Sequence, residues 1–331
     1  MARVRKFPPE GVFVAPPSSL PHPPTIGLAL GSGSARGWAH IGVIQALSEA
    51  GVPIHYVAGS SIGALVGGVF CAGQLDELAR EVRSLDWRRL ASMLDIALPR
   101  SGLLAGEKIT AIIRHLIGEC TLSTLPIPFW AVATSLRTGK EVWLRQGSMV
   151  EAIRASMSVP GIFTPVRQGS QWLVDGGLAN PVPVSVCRAM GADIVIAVNL
   201  NADILLRPDK SQASQETGTA WTRERRPQHT FRYYWQQRGK QFRQFLPLPK
   251  QAKEPSLSIF EVLLYSLQVM QDRITRHRLA ADPPDFLIAP AVRHIQLLEF
   301  HRADEAITEG TRATQALLPV LHESIKRAIG G

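Results

Sequence analysis

"IHYVAGSSIGALVGGVFCAG" (residues 54–73) is the stretch on which the fold turns. Its first part, "IHYVAG" (54–59), is short and mostly apolar and predicts a buried strand, and "IGALVGGVFCAG" (62–73) predicts a helix. Between them lies Gly59-Ser60-Ser61-Ile62-Gly63, a G-x-S-x-G pattern in the strand-to-helix setting that a nucleophile elbow requires. So tight a turn strains the backbone and lifts the Ser61 hydroxyl clear of the sheet. Gly59 and Gly63 let strand and helix approach without Cβ clashes. The helix directs its first N–H groups at the same point, where they favour developing negative charge, and the Ile62 amide is a candidate donor.

The same arrangement occurs upstream. "TIGLALG" (25–31) predicts a strand. "AHIGVIQALSEAG" (39–51), apolar at Ile41, Ile44 and Leu47 and stopped by Gly51, predicts a helix. The loop between them contains Ser32, Gly33, Ser34, Arg36 and Gly37. Glycine turns often hold phosphates, but a dinucleotide fingerprint fails here. Gly31 and Gly33 fit, yet the sixth position is Arg36, Gly37 falls one residue late, and no acid ends the second strand. No Gly-Lys-Ser/Thr follows, so a P-loop is also excluded. In a parallel sheet both loops share the carboxyl edge. The amides of Ser32 to Gly37 then serve an oxyanion, with Arg36 either adding charge or pinning the loop.

Further along, "FWAVATSL" (129–136) and "KEVWLRQG" (140–147) read as strands of a hairpin, and "MVEAIRASMSV" (149–159) as a helix stopped by Pro160. "QWLVDGG" (171–177) is a strand entering a glycine turn, "PVPVSVCRAMGA" (181–192) a helix, and "DIVIAVNL" (193–200) a buried strand. A long amphipathic helix (255–280), a short strand "PDFLIAP" (284–290) and a terminal helical segment (303–329) follow. This alternation predicts an α/β fold with a mainly parallel sheet covered on both faces. Residues 1–24 read as a Pro-rich tail and 25–331 as one domain with a polar, basic insertion at about 203–255.

A serine nucleophile needs a base. His115, His229, His277, His294, His301 and His322 follow Ser61, but none sits in a tight turn after a clear strand. His40 on the first helix and His55 in the second strand read as structural. Asp175 ends a predicted strand and precedes Gly176 and Gly177, so its carboxylate can reach the edge that holds Ser61. The other reading is a turn aspartate capping its own backbone.

The chain has 331 residues, 45% of them hydrophobic, and a net charge of +9, which suits anionic surfaces as well as plain solubility. Cys71, Cys120 and Cys187 have no metal spacing and are odd in number, so the expectation is a reducing cytoplasm without disulfides or a metal. No apolar run reaches a membrane span, and the N-terminus lacks the apolar core of a signal peptide. In residues 221–245, Arg223, Arg225, Arg226, Arg232, Arg238, Lys240 and Arg243 alternate with seven aromatic residues. That pattern suits peripheral contact with the inner membrane surface or a lid, and equally a solvated loop with a few aromatics packed on the domain. It also suits single-stranded nucleic acid, but nothing else here resembles a nucleic-acid module, and no such partner is expected.

Taken together, "GSGSARGWAHIGVIQAL" (31–47), "GSSIGALVGG" (59–68), "ASMSVPGIFTPV" (155–166) and "VDGGLANPVPV" (174–184) resemble the patatin-like phospholipase family, in particular its bacterial cytoplasmic members. The resemblance runs from about Thr25 to Leu200. It implies a three-layer α/β/α fold and a Ser–Asp dyad, with Ser61 as nucleophile, Asp175 of the D-G-G motif as base, and Ser32 to Gly37 as the oxyanion loop. The family's run of glycines is replaced here by Ser32, Gly33 and Ser34, and serine resists positive φ. Beside the site, Pro160 and Pro165 fix turns, and Ile162 and Phe163 are candidates to line an acyl pocket. The implied activity is hydrolysis of fatty-acyl esters of (lyso)phospholipids without a cofactor. The alternative is a weakly active or non-catalytic acyl-binding adaptor of the same fold.

Overall fold

The computed structural model describes residues 23–86, 106–202 and 259–330. The tail up to residue 22, the insertion at 203–255 and its aromatic segment 221–245 lie outside the described residues.

The elements follow the expected alternation. They are β1 (Ile26–Leu30), α1 (Ala39–Glu49), β2 (Tyr56–Ser60), α2 (Ile62–Cys71), α3 (Leu75–Arg83) and α4 (Glu107–Ile117). Then come β3 (Phe129–Ser135), β4 (Glu141–Leu144), α5 (Met149–Ser156), β5 (Val166–Gln168), β6 (Gln171–Asp175) and α6 (Val184–Ala189). The last are β7 (Ile194–Val198), α7 (Ile259–Ala281), β8 (Phe286–Ile288) and α8 (Ala303–Gly330). By their contacts, the described residues up to 202 and from 265 onward form one compact unit, to which every described element belongs except the start of α7.

Among the described residues one sheet has the order β5-β6-β3-β2-β1-β7-β8, with β4 also on β3. The run β3-β2-β1-β7-β8 is parallel, and β4, β5 and β6 extend it antiparallel. Strands β1 and β7 are buried along their whole length, which is why their sequences are unbroken apolar runs rather than alternating ones. One face packs on the larger core with α1, α2 and α5. The other packs on a smaller core around Ala29, Ala58, Val132, Val182 and Val195, with α6 and Leu279 of α7. This is the three-layer α/β/α arrangement.

The register of β3 positions the site. β2 pairs with Phe129–Val132, and β6 pairs antiparallel with Ala133–Ser135. β4 pairs with Ala131–Thr134 and therefore occupies the opposite edge, because a strand edge holds one partner at a time. So β2 and β6 run head to head along one edge of β3. They meet where Ser60 faces Val132 and Asp175 faces Ala133.

Some boundaries differ from the expectation. The helix expected at 181–192 is only Val184–Ala189, because Pro181 and Pro183 hold its entry out of the helix and Pro183 takes the N-cap. The helix expected at 149–159 ends at Ser156; the chain turns before Val159, which precedes Pro160 and is disfavoured as helix. His55 lies just ahead of β2, with Nδ1 accepting from the Ile26 amide at 2.9 Å. Helices α3 and α4 and strand β5 had not been expected. Among the described residues no helix is long and apolar enough to cross a membrane.

Candidate active site

Ser61 joins β2 to α2 with φ 56° and ψ −122°. Among the described residues only Ser34 and Ser61 combine a side chain with positive φ. Such a conformation costs on the order of 1–3 kcal/mol and persists only where the surroundings impose it. Here they do. The Ser61 amide donates to the Ser156 hydroxyl at 2.9 Å, and that hydroxyl donates to the Val132 carbonyl at 2.6 Å. Gly59 is the penultimate residue of β2, and Gly63 lies in the first turn of α2. A Cβ on Gly63 would stand 2.2 Å from the Leu30 carbonyl oxygen, so glycine is what lets α2 close over the end of β1.

Asp175 reaches this turn from the opposite direction. Ser61 Oγ donates to its Oδ2 at 2.5 Å, and the Gly177 amide donates to its Oδ1 at 2.8 Å. Its backbone is held as well: its amide donates to the Ser158 carbonyl at 2.9 Å, and its carbonyl accepts from Thr134 Oγ1 at 2.8 Å. The side chain is almost wholly buried. Burial pushes its pKa up to about 6, against the opposing pull of the hydrogen bonds from Ser61 and Gly177. Gly176 lies against the β2–β3 junction, where a Cβ would meet the Val132 carbonyl at 2.1 Å and Ser60 Oγ at 2.8 Å.

The first loop is a 3-10 turn, Ser34–Trp38, packed against Ile62. A Cβ on Gly37 would meet Ile62 side-chain carbons at 2.1–2.7 Å. Ser34 adopts φ 53° despite its side chain, and its hydroxyl donates to the Leu297 carbonyl at 2.6 Å. Arg36 is buried; its Nε donates to the Ile295 carbonyl at 2.9 Å and its Nη1 to Asn201 Oδ1 at 3.0 Å. Asn201 Nδ2 in turn donates to the Ser32 carbonyl at 3.3 Å. Of the two expected roles for Arg36, these contacts are those of a pin. His40 Nε2 lies 2.7 Å from the Gly31 carbonyl; burial lowers its pKa to about 4, so the ring is neutral at pH 7 and donates there. Among the described residues, the amides of Gly33, Ser34 and Ile62 donate to no protein acceptor.

A family model described as "Patatin-like phospholipase" matches residues 28–188, which carry the loop, the elbow and Asp175. An uncharacterized NTE family protein of Mycobacterium tuberculosis is 38% identical over 332 aligned positions, covering 89% of this chain and 91% of that one. The chain belongs to the patatin-like phospholipase family. The neuropathy target esterase of Drosophila melanogaster is 32% identical over 184 residues, which are 54% of this chain and 13% of that protein. Among solved structures, VipD of Legionella pneumophila has a TM-score of 0.46 at 14% identity, over 97% of this chain and 72% of that one.

In this patatin-like chain, Pro160, Ile162 and Phe163 are half-buried in the turn after α5. Arg154 organises that turn. Its Nη1 donates to Ser158 Oγ at 2.7 Å, its Nη2 to the Thr164 carbonyl at 3.1 Å, and its guanidinium lies 5.3 Å from the centre of the Phe163 ring. Arg154, Ser156 and Asn201 were missed from the sequence. Arg154 and Ser156 sit in an apolar helix where a polar residue is out of pattern, a usable signal. Asn201 follows a strand and reads as an ordinary loop residue.

Proposed function

We propose that this protein is a serine hydrolase of fatty-acyl esters of (lyso)phospholipids, with Ser61 as nucleophile and Asp175 as its base. The observation that carries this reading is the 2.5 Å hydrogen bond from a strained, elbow-mounted Ser61 hydroxyl to a buried carboxylate. Membership of the patatin-like phospholipase family and the esterase name of the Drosophila relative support the class of reaction.

In the proposed reaction Asp175 Oδ2 accepts the Ser61 proton as Oγ attacks the ester carbonyl carbon. The tetrahedral oxyanion is met by the amides of Gly33, Ser34 and Ile62, which act hardest where charge develops. Collapse breaks the ester C–O bond, and Asp175 returns its proton to the departing alkoxide, leaving an acyl-Ser61. Water then attacks that ester as Asp175 takes one of its protons. Collapse breaks the bond from the acyl carbon to Ser61 Oγ, Asp175 passes the proton to Oγ, and the fatty acid leaves. Ile162 and Phe163 are the proposed wall for the acyl chain.

The test is a serine-directed fluorophosphonate together with a soluble monomeric ester. Wild type labels and turns over. Ser61→Ala loses both, and Asp175→Asn loses turnover by about 10³-fold or more, with no further loss in the double variant because the pair acts as a unit. An Asp175→Asn enzyme with near-normal turnover would overturn the assignment of the base. A folded wild type that neither labels nor hydrolyses would leave an acyl-binding protein instead.

A further inference from the structure

We propose that the free tip of the antiparallel extension, formed by β5, β6 and the β3–β4 turn, is the surface with which this protein docks on an anionic lipid bilayer. The proposal rests on the reading of the protein as a lipid ester hydrolase, because that substrate lies in a membrane.

The argument begins with register. Arg167 of β5 faces Trp172 of β6, and the Leu136 amide, just past β3, donates to the Trp172 carbonyl at 2.8 Å. Arg167, Trp172 and Leu136 therefore form one row across three chain segments, on one face, as cross-strand neighbours do. Leu136 is 56% exposed and Trp172 is 51% exposed, and among the described residues they head the large apolar side chains left in solvent. Isolated exposed apolar residues need no explanation, but here two are adjacent and ringed by one sign of charge. Arg137 and Lys140 in the turn and Arg167 in the row are all exposed. Residues 136–140 and 166–172 contain no acid at all. The next acid along β4, Glu141, is already engaged by Asn180 at 2.7 Å and Arg278 at 3.4 Å.

Position favours a membrane over other partners. β3 ends at the carboxyl edge of the parallel strands, the edge that carries the Ser61 elbow. Trp172 precedes Asp175 by three residues on one strand, about 10 Å at the rise of a β-strand. Leu136 lies four residues beyond the level of Ser60, about 13 Å on the same measure. A tryptophan and a leucine flanked by three cations, leading the rim of a lipid-cleaving site, match the interfacial preference of tryptophan and the attraction of anionic headgroups for basic side chains.

The experiment uses the full chain and sedimentation with phosphatidylcholine vesicles, with and without phosphatidylglycerol. Replacing Arg137, Lys140 and Arg167 together by Gln should weaken binding to the anionic vesicles on the order of a hundredfold. Leu136→Ser with Trp172→Ser should weaken binding to both kinds of vesicle about tenfold or more. Both variants should turn over a soluble monomeric ester like wild type, which reports an intact fold and site. Wild-type vesicle binding in either variant with soluble turnover preserved would overturn the proposal. So would loss of binding confined to a variant carrying Gln at the seven basic positions of 221–245. A wild type that binds vesicles through this tip but cleaves no soluble ester would instead remove the hydrolase reading and leave the docking surface standing.

Discussion

The Ser156 hydroxyl accepts from the Ser61 amide and donates to the Val132 carbonyl, so one buried oxygen ties α5 and β3 to the strained turn. Ser156→Ala would leave that amide and that carbonyl buried without a partner, at about 1–3 kcal/mol apiece. Part of the loss should appear as a relaxed elbow rather than as unfolding. The expected outcome is a kcat on soluble ester reduced about tenfold or more per fluorophosphonate-titrated site, with KM little changed. A lower melting temperature with unchanged kcat per titrated site would reduce Ser156 to a packing residue. The pair Ser61 and Asp175, which the structure brings into hydrogen-bond contact, could be singled out in the sequence because both residues are marked by local turns: glycines flank Ser61 and follow Asp175. Ser156 carries no such mark. Its partners are 95 and 24 residues away in the chain, and only the packed helix brings them within reach.

At the scale of elements, the 3-10 turn Ser34–Trp38 and the start of α2 touch through Gly37 and Ile62. Gly37→Ala places a methyl where Ile62 carbons already lie, so either the loop or the Ile62 amide must move. If these amides serve the oxyanion, kcat should fall on the order of 10²-fold, the usual cost of one lost donor, with KM nearly constant. A rise in KM alone would mean that the loop binds substrate and leaves the transition state untouched. The sequence raised a doubt here, because Ser32 and Ser34 replace glycines and serine disfavours positive φ. Ser34 takes that conformation nonetheless, held by its own hydroxyl on Leu297 and by the Ala35 amide on the same carbonyl at 3.1 Å. Leu297 lies more than 260 residues along the chain, so this compensation could not be seen locally.

For the whole molecule, Asp175 links stability to pH. Its pKa is about 6 in the folded chain, raised first by burial, against 3.8 for an ordinary aspartate. Between those values the native state holds a proton that the unfolded chain has released, so stability falls as pH rises through about 4 to 6 and then levels off. That difference is worth roughly 3 kcal/mol at neutral pH. Asp175→Asn should therefore be more stable than wild type at neutral pH, by up to that amount, and indistinguishable from it at about pH 4. Urea unfolding at the two pH values checks this; equal stability at neutral pH would show that the folded carboxylate bears no burial penalty. Activity runs the other way. If Asp175 is the base it must be ionised, so kcat/KM for a soluble ester should rise through an apparent pKa near 6 and then flatten.

From the sequence alone came the α/β class, the glycine loop, the elbow at Ser61 and the Asp-Gly-Gly turn. Each depends on residues within one strand–turn–helix unit, where periodicity and turn chemistry act over a few positions. Tertiary structure decided how those units meet. The head-to-head placement of β2 and β6 on one edge of β3 is a matter of register, and no local pattern specifies it. The same holds for the raised pKa of Asp175, which comes from the depth of burial, and for Arg36, whose carbonyl acceptor belongs to Ile295. It holds too for the row Arg167–Trp172–Leu136, three residues of ordinary appearance that become one surface because antiparallel pairing lays their strands side by side.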